Sequence, residues 1–191
     1  MSNKPFNIVI GITGASGSIY AKYLIDYLCE LKNVNNLVID IIFSEIGKKV
    51  FIHENKEELN KNLPVRIFEN DDFFAPFASG SSTADAMVII PCSMGTLGRI
   101  AHGTSENLIC RSADVILKEK KRLLLVIRET PLNLIHIKNM ELICLAGGTI
   151  FPASPSFYLN PKSIDDIVNS VIHRIIDHLD INQKINRWGK K

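Results

Sequence analysis

The sequence lacks most of the features that would assign it at a glance. Its four cysteines, Cys29, Cys92, Cys110 and Cys144, form no CxxC pair and have no histidines at zinc-ligand spacing. Neither a disulfide framework nor a structural metal is expected, and buried reduced thiols are the default. The five histidines, His53, His102, His136, His173 and His178, show no metal spacing either, and none is given a catalytic role. No apolar run reaches the roughly 18 residues that span a bilayer, and no charged, apolar and small-residue leader stands at the amino end. A cytoplasmic protein with no membrane partner is therefore expected. Charge of neither sign gathers in a block: 22 basic and 20 acidic side chains intermix to a formal +2. Nucleic acid is not the natural partner of such a surface.

What is present is a chain of 191 residues, 46% hydrophobic, long enough to bury one substantial core. Apolar runs alternate with helical patterns and no repeat or low-complexity linker interrupts them, which predicts parallel strands joined by crossover helices. The strands are expected at Ile8 to Ile12, Leu37 to Phe43, Val65 to Phe68, Ala86 to Ile90, Leu123 to Ile127 and Thr149 to Phe151. Several are unbroken Val, Ile and Leu, as strands buried on both faces should be. Helices are expected at Ser18 to Leu31, Glu45 to His53, about Thr96 to His102, Ser105 to Lys120, Leu132 to Ala146 and Ser163 to Leu179. Ser105 and Ser163 suit amino-terminal caps, and Gly147-Gly148 suits a carboxyl-terminal stop. The fold class is α/β, a doubly wound, Rossmann-like parallel sheet with helices on both faces. It is read as a single domain over 1–191, with 180–191 a carboxyl-terminal tail.

In such a sheet the ligand lies beyond the carboxyl ends of the strands, and small polar residues collect there. Thr13-Gly14-Ala15-Ser16-Gly17 follows the first strand, Ser44 the second, Pro91-Cys92-Ser93-Met94-Gly95-Thr96 the fourth, and Arg128-Glu129-Thr130-Pro131 the fifth. A glycine-rich turn into a helix is an anion site, because unpaired N–H groups and the positive end of the macrodipole meet there. The turn does not read GxGxxG, since Gly11, Gly14 and Gly17 are three apart, and strand two ends in Phe43-Ser44 rather than an acidic residue. That disfavours NAD, and the missing lysine followed by serine or threonine excludes a P-loop. Ser16 and Ser44 suit a mononucleotide phosphate or an isoalloxazine edge. A tight turn with no ligand is the structural alternative.

Taken in order, several segments resemble the UbiX/Pad family of flavin prenyltransferases, once called aromatic acid decarboxylases. They are ITGASG, Ser44-Glu45 with Glu54 ten residues after Ser44, FFAPFASGSS, PCSMGTL, ENLICRSADVILKE, RETP, SFY and a carboxyl-terminal RWG, spanning residues 12 to 189. The resemblance implies a metal-independent transferase. It would join a dimethylallyl group, from dimethylallyl monophosphate, to N5 and C6 of reduced FMN, with the pyrophosphate left open as a donor. The product, prenylated FMN, would pass to a UbiD-type decarboxylase. The resemblance further implies a homo-oligomer, typically a dodecamer, with sites shared between subunits. The aspartate-rich motifs of magnesium-dependent prenyltransferases are absent.

Carried over residue by residue, Gly14, Ala15 and Ser16 resemble the FMN-binding turn and Ser44 a second flavin contact. Ser93, Met94, Gly95 and Thr96 resemble the loop around the flavin phosphate and ribityl chain, and Arg128 a further flavin contact. Arg111, Lys118, Glu129, Tyr158 and Arg174 resemble the prenyl phosphate ligands. Ser16, Glu54 and Glu129 make the catalytic set, with Glu129 relaying the N5 proton to the departing phosphate and Glu54 assisting ring closure. Ile127 stands where the family usually has proline. Two features keep a plainer reading. Arg111 and Lys118 lie about 10 Å apart along one helix face, with Asp114 between them in the order that suits a solvated ion-pair ladder. Phe73, Phe74 and Phe77 are equally consistent with core packing and with an interface or aromatic wall around a prenyl cation. Two other functions remain: a flavin-dependent cysteine-type decarboxylase, whose histidine and PASANT-like motif are not found, and a non-catalytic flavin carrier.

Overall fold

Continuous aliphatic runs become the strands of one sheet. In the computed structural model, which describes residues 4–81, 84–158 and 160–183, the order is β1 (Phe6–Ile12), α1 (Ser18–Asn35), β2 (Leu37–Phe43), α2 (Glu45–Asn55), β3 (Arg66–Phe68), β4 (Ala86–Cys92), α3 (Met94–Ala101), α4 (Leu108–Lys118), β5 (Arg122–Ile127), α5 (Leu134–Leu145), β6 (Thr149–Pro152) and α6 (Ile164–His178). The sheet runs β3-β2-β1-β4-β5-β6, and every neighbouring pair is parallel. This is the doubly wound arrangement expected, in a single domain. The winding reverses between β1 and β4, which opens a crevice at the carboxyl ends of those two strands.

Alternation along β1 sorts the core into two layers. Ile8, Ile10 and Ile12 pack with Leu24, Leu28, Val171 and Ile175 of α1 and α6, while Val9 joins Met87, Ile89, Leu97 and Ile109 on the other face. Gly11 points to that second face, where a Cβ would stand 3.3 Å from Ile109 Cγ2, so its missing side chain lets α4 lie close to the sheet. At the edge, β3 is three residues long and is tied to β2 by Arg66, whose Nε and Nη2 reach the buried Asp40 carboxylate at 2.6 and 2.8 Å.

Three of the places where the structure differs from the sequence expectation have a clear physical cause. β4 does not stop at Ile90 but passes through Pro91 to Cys92, with an irregular register against β5 between Ile89 and Cys92. A proline fits there because an irregular step in the ladder needs no donor from it, and its carbonyl is taken by the Thr13 hydroxyl at 2.7 Å. Asn107, not Ser105, caps α4, accepting from Cys110 N, whereas Ser163 forms a full capping box on α6. Residues 180–183 pack rather than trail: Ile181 is buried, Asn182 and Asn35 exchange two hydrogen bonds, and Gln183 Nε2 donates to His173 O. The RWG segment, 187–189, lies outside the described residues. α5 is apolar nearly all round: Ile143 and Asn139 face inward, while Leu134, Ile135, Ile137, Leu142 and Leu145 are exposed.

Candidate functional site at the carboxyl edge of the sheet

The glycine turn is where geometry departs most from expectation. Gly17, at φ 101, is the N-cap of α1 and offers no side chain to the helix. The cap comes from α2 instead. Glu54 Oε2 accepts from Gly17 N at 3.0 Å, Ser18 N at 2.7 Å and Ser18 Oγ at 2.7 Å, and its Oε1 lies 3.2 Å from Gly17 N. The Ser16 hydroxyl bonds the same carboxylate. Burial pushes this carboxyl up, but the hydroxyls of Ser16 and Ser18 and the N–H groups of Ser18 and Gly17 outweigh it and hold Glu54 below the usual carboxylate range. The anion that occupies the α1 terminus is thus a side chain of the protein. With Glu54 in place the Gly17 and Ser18 donors are taken and a phosphate beside them would meet a like charge, which favours the isoalloxazine-edge alternative at this turn.

The start of α3 is a second place at this edge where helix N–H groups gather. Ser93 caps α3, accepting from Thr96 N at 3.3 Å and donating to Thr96 Oγ1 at 3.1 Å. Gly95 in the same first turn is exposed, and a Cβ there would stand 3.2 Å from Arg99 Nη1, so that guanidinium folds back toward the helix start while pairing with Glu106. Buried Thr13 ties this loop to the glycine turn, donating to Pro91 O and accepting from Ser93 N at 2.8 Å. Ser44 caps α2 by accepting from Gly47 N at 2.9 Å, which leaves its hydroxyl hydrogen for a ligand. Gly14 has no room for a side chain, since a Cβ would lie 2.5 Å from Ile46 Cγ2. Beside Ser44 opens a cleft of about 640 Å³, with Phe43, Ile52, Ile67 and Phe68 among its walls.

Gly14, Ala15, Ser16, Ser44, Glu54, Ser93 to Thr96, Arg128 and Glu129 therefore share one edge. The Arg128 stem crosses the glycine turn, its Cγ 3.6 Å from where a Gly17 Cβ would be, and the exposed Glu129 carboxylate accepts from Thr130 N. Tyr158 is exposed in the segment after β6, which Ser156 N ties to Ser170 Oγ of α6 at 3.0 Å. The remaining expected phosphate ligands stand apart. α4 descends from this edge, so Lys118, ten residues after Leu108, is roughly 15 Å down its axis. Arg174, ten residues after Ile164, is as far down α6, 3.6 Å from Asp177. Arg111 donates to Ala78 O and pairs with Asp114 at 3.3 Å, half of the expected ladder. The phenylalanines divide: Phe77 is buried edge-on against Phe68, Phe73 is exposed, and Phe74 is 100% exposed.

Sequence reading gave no individual role to four residues that shape the site: Thr13, Ser18, Asn55 and Arg99. A fully buried serine at the start of α1 is the one that a burial pattern flags, because a hydroxyl there needs a partner. Among the described residues, no group of three or more His, Cys, Asp or Glu could hold a metal ion, and no helix is long and apolar enough to cross a membrane.

Comparison with known proteins adds the family. The Flavoprotein family model matches residues 1–176. The chain is 45% identical over 189 residues to flavin prenyltransferase UbiX of Methanocaldococcus jannaschii, with 95% of this chain and 98% of that one covered. A crystal structure of AnUbiX (PadA1) in complex with FMN and dimethylallyl pyrophosphate superposes with TM-score 0.89 at 34% identity, covering 97% and 100% of the two chains. The dodecameric FMN-dependent UbiX-like decarboxylase of Escherichia coli O157:H7 gives TM-score 0.90 at 34% identity, again covering 97% and 100%.

Proposed function

We propose the reaction of this chain from the premise that it belongs to the Flavoprotein family, and within it to the flavin prenyltransferases. It is a transferase that takes reduced FMN as substrate and joins a dimethylallyl group to it at N5 and C6. The observation that carries the assignment of roles is the pair of anion sites at the crevice. One is filled by Glu54 and the other, at α3, is open for a phosphate.

The residues fit FMN on that division. The first-turn N–H groups of α3, with the hydroxyls of Ser93 and Thr96 and the nearby Arg99 guanidinium, suit the FMN phosphate and the adjoining ribityl chain. Gly14, Ala15 and Ser16 present backbone and a hydroxyl to the ring edge, Ser44 adds a donor, and the Arg128 stem covers the turn. When bound, the reduced flavin supplies the electron-rich N5 and C6. The chain then has to move protons and hold the leaving phosphate. Ser16 is exposed and hydrogen-bonded to an ionised carboxylate, so it can take a proton from the ring side and hand it to Glu54. Glu129 lies on the solvent-exposed rim, where it can relay a proton from water to the departing phosphate.

Tyr158 stands at the same rim, and Arg111, Lys118 and Arg174 line other flanks of the molecule. Their separation supports a site completed by neighbouring copies, in which cations from one subunit meet the phosphate held by another. The apolar exterior of α5 and the exposed Phe73 and Phe74 support the same reading, since a monomer exposing such a surface is disfavoured. A homo-oligomer, a dodecamer like the E. coli relative, is proposed. The product would serve a UbiD-type decarboxylase.

The test is anaerobic incubation of the pure protein with reduced FMN and either dimethylallyl monophosphate or pyrophosphate, followed by mass spectrometry of the released flavin. A prenyl adduct is expected. FMN binding without an adduct from either donor would favour a flavin carrier, and CO₂ release from a peptidyl cysteine would favour a cysteine-type decarboxylase.

A further inference from the structure

We propose that Ser18 and Asn55 are positioning residues that saturate one oxygen of Glu54, so that this carboxylate takes a proton at its other oxygen. The inference rests on the reading of Glu54 as the proton acceptor of the site. The hydrogen bonds run in one direction. Asn55 Nδ2 donates both to Phe51 O at 2.9 Å and to Ser18 Oγ at 3.0 Å, so its two hydrogens are committed and the amide orientation is fixed. Ser18 Oγ, accepting from Asn55, has a single hydrogen to give, and it gives it to Glu54 Oε2 at 2.7 Å.

The backbone N–H groups of Ser18, at 2.7 Å, and Gly17, at 3.0 Å, complete three donors on that one atom. Ser18 is 0% exposed, so water cannot replace its hydroxyl. Protonating Oε2 would oppose three donors at once, whereas Oε1 has only the longer Gly17 contact at 3.2 Å. The charged and titratable side chains on the elements packed here include Lys22 of α1, paired with Asp26 and Glu57, Glu45, Lys48, Lys49 and His53 of α2, and Arg128, whose stem crosses Gly17. The groups that lower the Glu54 carboxyl are the hydrogen-bond donors of the turn, with no charged partner among them.

The test follows the Glu54 carboxyl carbon by ¹³C NMR across pH in the full chain, with Glu54→Gln to assign the signal. Ser18→Ala removes one charge-assisted donor, leaving Asn55 Nδ2 its bond to Phe51 O, and is expected to move the titration up by about one pH unit. Asn55→Asp replaces the donor with an acceptor that draws the Ser18 hydrogen away, and is expected to move it at least as far. If both variants titrate like the parent, to within about 0.2 unit, the positioning role is refuted. The acid limb of prenyl transfer supplies a separate readout. A limb that shifts with the NMR titration supports both readings. A titration that shifts while the limb stays put leaves the hydrogen-bond network intact but removes Glu54 from the proton path, which overturns the proposal as a statement about the reaction.

Discussion

Replacing Glu54 by glutamine separates its structural from its chemical work. In the parent the carboxylate accepts Gly17 N, Ser18 N and Ser18 Oγ on Oε2 and the Ser16 hydroxyl besides, and it sits at the positive end of the 18-residue α1. A glutamine oxygen can keep the Oε2 contacts, but as neutral bonds of roughly half the strength. Its amide must then turn N–H groups toward Gly17 N and lose the charge that complements the helix dipole. Lost charge assistance on three bonds and a dipole contribution of about 0.5 to 1 kcal/mol sum to about 3 kcal/mol, and partial exposure of the carboxylate cuts this to about 2 kcal/mol. At constant protomer concentration, since assembly shifts apparent stability, the midpoint of thermal unfolding should fall by about 5 °C.

The effect must also depend on pH. The folded-state value for Glu54 is depressed, so its stabilisation is present above the unfolded value near 4.3 and is lost as pH falls through the folded one. Urea unfolding of parent and variant at pH 7, and at steps down into that acid window, measures the difference. A destabilisation under about 0.5 kcal/mol at pH 7, or one that does not shrink in acid, would refute the cap.

Three further expectations use other parts of the structure. Arg66→Ala strands the buried Asp40 carboxylate at the β2–β3 edge and should cost about 2 to 3 kcal/mol in urea unfolding, less than a fully enclosed pair because Arg66 is itself half open. Arg99→Ala should weaken FMN binding about tenfold at low salt while leaving riboflavin binding nearly unchanged, as read by flavin fluorescence; equal losses for both would remove Arg99 from the phosphate site. Ile135→Asp and Leu145→Asp, on the exposed face of α5, should reduce the assembly seen by light scattering without altering the circular dichroism of the subunit. An unchanged mass for both would place the interface elsewhere.

Much of this was legible in the chain itself. β5 carries an unbroken aliphatic run and β1 and β2 are mostly aliphatic, which placed the doubly wound sheet, because strands buried on both faces admit little else. The capping chemistry of Ser163 and the stop at Gly147, φ 93, are local and could be read from short segments. The extension of β4 through Pro91 could not, since proline signals a strand end unless the register steps past its missing N–H, as it does here against β5. Asn107 displaced Ser105 as a cap because the incoming loop fixes which residue meets the first turn.

The glycine turn marks the boundary between the two kinds of information. The sequence alone determined that N–H groups would converge there and that an anion would answer them, because glycine spacing and the start of a helix dictate that locally. Only the tertiary structure decided which anion. α2 packs on α1 and brings Glu54, 37 residues beyond Gly17, into the cap, and a carboxylate delivered by the fold itself excludes a phosphate from the same donors. Packing likewise decided that Lys118 and Arg174 lie well down α4 and α6 from the crevice. Residue type tells what a side chain can bind, whereas only the placement of its helix tells which site it can reach.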